Sequence, residues 1–128
     1  MKKLIALLAT AFIAGTAFAG EFPDISIAEV KKLAASKKAT IIDVNGTESF
    51  AKGHVPGALN FEAIEASFAK ALPADKNAPI VAYCGGPQCK AYQSAAKAAE
   101  KLGYKNVKHM SAGLSGWNKA GEKTEKAN

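Results

Sequence analysis

A small α/β domain with a central, mostly parallel sheet flanked by helices is predicted by three features of this chain. Short apolar runs of strand length (39–44, 58–61, 79–83 and 106–110) alternate with segments of helical composition or periodicity (26–37, 62–72 and 90–102), the pattern of parallel strands joined by crossover helices. The run 39–44 is continuous and rich in β-branched residues, as a strand buried on both faces requires. Turns containing glycine follow the first and third runs, so reactive groups are expected at the C-terminal strand ends, where such sheets gather them.

The first nineteen residues stand apart from this pattern. Met1, Lys2 and Lys3 make a charged start, 4–18 is an apolar core, and Ala17-Phe18-Ala19 is a small-residue cleavage site; together they predict a signal peptide over 1–19. The apolar stretch is short for a membrane span and Gly15 and Thr16 interrupt it. The domain proper is therefore expected at 20–128, exported to the periplasm or secreted, with no membrane attachment in its mature form. What remains is long enough for one hydrophobic core and too short for two.

Ser26-Ile27-Ala28-Glu29 is a capping box. It opens a helix over 26–37 in which Ile27, Val30, Leu33 and Ala34 share one face, with Lys31, Lys32, Lys37 and Lys38 outside. The first strand follows, with Asp43 near its C-terminal end, and Asn45-Gly46 turns the chain. A single short helix is expected at 47–52, a turn at 53–57 and a second strand at 58–61. The segment 62–72 predicts one helix closed by Pro73. The third strand, 79–83, delivers Cys84 into a glycine turn, and a long helix runs from Lys90 to 102 before Gly103 ends it. A last strand is expected at 106–110, then a short helix around Trp117 among Gly113, Gly116 and Gly121, and a polar tail, 122–128, expected to fray.

Charge narrows the partners. Loss of the two leader lysines takes the net charge from +6 to about +4, and the remaining lysines are scattered. No basic stripe interleaves with aromatics, so nucleic acid is not an expected partner; a mild positive field favours small anions. All seventeen basic residues are lysine, so an anion site here must use lysine or backbone N–H groups without a guanidinium fork. His54 and His109 each lack a nearby run of ligand residues and read as structural, with no metal or cofactor expected. Trp117 and Phe61 read as core or pocket wall.

Cys84 is the candidate nucleophile. A cysteine at a strand end facing a helix N-terminus meets N–H groups and the positive end of the helix dipole, and both favour the reactive thiolate. Gly85 and Gly86 permit close backbone approach, and Pro87 stiffens the turn. Lys90, at the start of the helix, suits attraction of an anion. Asp43 could receive loop N–H groups, pair with Lys90, or cap its own turn. Only two cysteines are present, and a bridge from Cys84 to Cys89 would close too small a loop to act as a strong staple, so a reversible, functional bridge fits better.

Three motifs resemble the single-domain rhodaneses, a sulfurtransferase family. The first is Ile41-Ile42-Asp43-Val44, then Glu48, Phe50 and Gly53-His54-Val55-Pro56-Gly57-Ala58-Leu59-Asn60. The second is the loop Tyr83-Cys84-Gly85-Gly86-Pro87-Gln88-Cys89. The third is Leu102-Gly103-Tyr104 with Val107, Gly113 and Gly116-Trp117. Two positions depart from the family: Asn45 and Cys89 stand where it usually, or often, has arginine, which moves anion binding toward Lys90 and the backbone. The resemblance implies a rhodanese-like fold and a two-step cycle without cofactor. Cys84 takes the sulfane sulfur of a donor such as thiosulfate, and its persulfide passes it to a thiophilic acceptor, either cyanide or a thiol, that of an exported protein included. Gly85, Gly86, Pro87, Gln88, Cys89 and Lys90 would form the anion-binding loop of a monomer, with Asp43 and Asn45 in support. Cys89 is also a candidate resolving thiol. Two alternatives stay open: a thiol–disulfide redox protein using Cys84 and Cys89, and a non-catalytic sulfane-sulfur carrier. A phosphatase would need a longer loop closed by arginine.

Overall fold

Four parallel strands, β1 (Thr40–Asp43), β2 (Leu59–Asn60), β3 (Ile80–Tyr83) and β4 (Val107–His109), form one sheet in the order β2-β1-β3-β4. The computed structural model describes residues 22–127, and the expected signal peptide lies outside them. The central strands run in register, Ile41 opposite Val81 and Ile42 opposite Ala82. Both are buried on both faces, which is why their sequences are continuous apolar runs.

Helices cover the two faces: α1 (Ile27–Ser36), α2 (Thr47–Lys52), α3 (Phe61–Ile64), α4 (Phe68–Ala71), α5 (Tyr92–Lys101) and α6 (Gly113–Lys119). Side chains alternate between faces along a strand. Ile42, Ala82 and Cys84 therefore join Phe61, Phe68, Tyr92 and Ala96 in one core, while Ile41, Val81 and Tyr83 join Val30, Val55 and Trp117 in the other. At the start of α1 the Glu29 N–H donates to the Ser26 hydroxyl at 3.1 Å, as the capping box requires.

Two expectations are corrected. Residues 62–72 do not make one helix: α3 and α4 are separated by a 3₁₀ turn at Glu65–Ser67. Phe61 and Phe68 are both buried, with ring centroids 5.2 Å apart. Seven residues of straight α-helix would separate their backbones by about 10 Å, so breaking the helix lets both rings enter one core. Nor does the tail fray over its described residues, 122–127. Glu125 exchanges two backbone hydrogen bonds with His54, each 2.9 Å, and the Trp117 indole N–H donates to the Lys123 carbonyl at 2.7 Å. Polar residues lacking a packing face are held here by the backbone of the 53–57 turn.

His109 closes β4 with its ring stacked on Tyr92 (centroids 3.4 Å apart) and its Nε2 buried without a hydrogen-bond partner among the described residues. Burial outweighs the nearby Asp24 carboxylate and holds the imidazolium below its ordinary 6.5. The unfolded chain therefore takes up a proton that the folded chain resists, so this stability is full above pH 6.5 and lost as pH falls below it. Denaturant midpoints measured between roughly pH 8 and pH 5 should fall more for the wild type than for His109→Phe, which keeps the ring stack. Equal falls would rule this out.

Candidate active site

The C-terminal ends of the central strands place two groups side by side in sequence and on opposite faces. Tyr83 enters the core beneath α1 and α6; Cys84, 1% exposed, enters the one beneath α5. From Cys84 the chain leaves the sheet, and α6 holds it there. The Leu114 N–H donates to the Cys84 carbonyl and the Ser115 N–H to the Gly85 carbonyl, both at 2.9 Å. These are first-turn N–H groups, which have no acceptor inside their own helix.

Gly113 makes that approach feasible. Its φ is +65°, and a Cβ there would lie 2.5 Å from the Gly86 nitrogen and 2.6 Å from the Gly85 carbonyl carbon. Only glycine fits both the conformation and the space.

The loop then doubles back. The Cys89 N–H donates to the Gly86 carbonyl at 3.1 Å, a turn for which Pro87 is preset at the second position. This brings Cys89 back to Cys84: their Cα atoms are 6.3 Å apart and their sulfurs are joined in a disulfide. Gly85, Gly86 and Cys89 are half-buried, whereas Pro87, Gln88 and Lys90 are exposed. Regular helix begins at Tyr92, two residues later than predicted, because the Gln93 and Ser94 N–H groups first make three-residue turn bonds to the Lys90 and Ala91 carbonyls, each 3.1 Å.

Behind the loop sits Asp43, fully buried. Its carboxylate receives the Asn45 N–H at 2.7 Å and the Tyr83 hydroxyl at 2.6 Å, and the Val55 N–H donates to that hydroxyl oxygen at 3.0 Å. Of the roles open to Asp43, the turn cap is the one observed, while Lys90 is exposed to solvent. Burial first, then the Asp43 charge, pushes the Tyr83 phenol far above its usual range, so it remains a protonated donor. The pairing of Tyr83 with Asp43 is absent from the sequence reading. Its signal was a tyrosine within an apolar strand, since a buried phenol needs a partner.

Asn45 flanks the loop: its Oδ1 lies 3.6 Å from the point a Cβ on Gly85 would occupy, and its Nδ2 is buried with no hydrogen-bond partner among the described residues. A buried amide donor left unpaired is uncommon. His54 is structural, as read from the sequence. Its ring stacks on Phe50 with centroids 3.6 Å apart, and its Nδ1 lies 2.8 Å from the Phe50 carbonyl oxygen.

Residues 26–120 match the family model described as the rhodanese-like domain. The chain is 31% identical over 122 residues to the uncharacterized protein YibN of Escherichia coli K12, covering 93% of this chain and 80% of YibN. It is 34% identical over 98 residues to the HTH-type transcriptional regulator Rv0324 of Mycobacterium tuberculosis, covering 76% of this chain but only 42% of that regulator. Two solved structures share its fold. The human single-domain sulfurtransferase TSTD1 has a TM-score of 0.62 at 24% identity, over 76% of this chain and 96% of TSTD1. A thiosulfate sulfurtransferase from Pseudomonas aeruginosa has a TM-score of 0.68 at 24% identity, over 81% of this chain and 20% of that one.

Proposed function

The chain belongs to the rhodanese-like domain family, and from that premise we propose that it is an exported, monomeric sulfurtransferase in which Cys84 is the nucleophile. The observation that carries this reading is the placement of Cys84 at the end of a central strand, in a short loop whose carbonyls are pinned by α6. In the reduced chain the Cys84 thiolate attacks the outer sulfur of thiosulfate. The donor's S–S bond breaks, its electron pair leaves with sulfite, and Cys84 holds a persulfide. A thiophilic acceptor, cyanide or a thiol, then removes the sulfur.

The departures from the family pattern fit a weaker anion site. The Asn45 Nδ2, buried with no hydrogen-bond partner among the described residues, is a donor suited to a donor oxyanion, and Lys90 supplies charge from the exposed end of the loop. A neutral amide binds an anion less tightly than a guanidinium, so a high KM for thiosulfate follows.

Pre-reduced, desalted protein mixed with thiosulfate and no acceptor should release about one sulfite per chain, and the disulfide form none. No sulfite from the reduced chain would overturn the reading. The joined cysteines favour one other reading, a thiol–disulfide redox protein. Such a protein reduces a test disulfide and gives no sulfite.

A further inference from the structure

We infer that Cys89 is a resolving thiol that converts the Cys84 persulfide into free sulfide, so that the chain acts as a dithiol-driven reductase of sulfane sulfur. This rests on the sulfur-transfer reading above and adds the fate of the sulfur.

The turn from Gly86 to Cys89 places the Cys89 sulfur on Cys84's own sulfur. In the persulfide that atom is the inner sulfur. Attack there forms the Cys84–Cys89 bond and breaks the bond between Cys84 and the outer sulfur. The electron pair leaves with the outer sulfur, which takes the Cys89 proton and departs as hydrosulfide. The sulfane sulfur is reduced by two electrons and the two cysteines are oxidised by two. With thiosulfate as donor, the sum is thiosulfate and protein dithiol giving sulfite, hydrosulfide, a proton and the disulfide. Attack within a short loop needs no encounter, whereas an external acceptor must first diffuse to the persulfide.

The next turnover requires an external dithiol, itself oxidised to a disulfide. Access selects the sulfur it attacks: Cys89 is half-buried and Cys84 is closed off, so the mixed disulfide forms at Cys89 and Cys84 leaves as the thiolate, ready for another sulfur. The partner is therefore a reducing dithiol, and the reaction feeding the site must supply sulfane sulfur.

The test uses pre-reduced wild type, Cys89→Ser and Cys89→Ala with thiosulfate and no added thiol, following sulfite, sulfide and intact mass. The wild type should give about one sulfide for each sulfite and end two hydrogens lighter, while both variants give sulfite, no sulfide and one retained sulfur. A wild type that keeps the sulfur with Cys89 reduced overturns the resolving role and leaves the sulfurtransferase intact. Absence of sulfite from all three overturns both.

Discussion

Cys84→Ser, assayed beside the wild type with a reducing dithiol present, is expected to lower sulfite release from thiosulfate by at least about a thousandfold. A serine hydroxyl is not ionised near neutral pH and cannot hold sulfur as a persulfide, so both halves of the cycle go with the one atom. The fold should survive. The exchange removes little volume, and a buried hydroxyl without a good partner costs about 1–3 kcal/mol; Cys84→Ala, which adds no polar group, serves as the second variant. Sulfite turnover within about tenfold of the wild type in both, with unchanged circular dichroism, would remove Cys84 from the nucleophile's role.

Gly113→Val should be the most damaging substitution outside the loop itself. A β-branched residue at φ +65° is strained by about 1–2 kcal/mol. The atoms its Cβ would meet at 2.5–2.7 Å are backbone atoms of Gly85 and Gly86, which cannot swing aside as a flexible side chain can. Relief requires α6 and the loop to part, at the expense of the Leu114 and Ser115 hydrogen bonds to it. A total near 3 kcal/mol would lower Tm by roughly 15 °C in a domain this small. Gly103→Ala separates strain from collision: φ there is +98°, yet nothing lies within 4 Å of the added carbon, so the loss should be only about 1 kcal/mol. Similar melting shifts in the two variants would refute the collision argument. Sulfite release per chain should also fall in Gly113→Val and not in Gly103→Ala, since only the first displaces Cys84.

What was legible in the chain follows from how locally each feature is encoded. The strands were visible because burial on both faces forces continuous apolar runs, and the observed β1 and β3 fall inside the predicted segments. The α1 cap was visible because Ser26 and Glu29 are three residues apart. Features made by distant residues were not. The first N–H of α2, from Thr47, is capped by the Glu62 carboxylate, fifteen residues on, at 2.6 Å. The break between α3 and α4 serves a ring contact that exists only once the core closes. The anchoring of the tail to the 53–57 turn leaves no trace in a polar segment read alone. In the site, Cys84, the glycines and Cys89 lie in one stretch and could be read together. Tyr83 and Asp43 are forty residues apart, and only pairing of β1 with β3 brings them to 2.6 Å.

Because the alternation of β3 carries on into the residue that follows it, positions 83 and 84 are neighbours in the gene yet sit in different layers. A substitution between the two cysteines would alter reactivity, whereas one at Tyr83 would take a hydrogen-bond donor from the buried Asp43 carboxylate and cost stability. The loop can therefore be changed without touching the layer that holds Tyr83, which gives one architecture room for several chemistries.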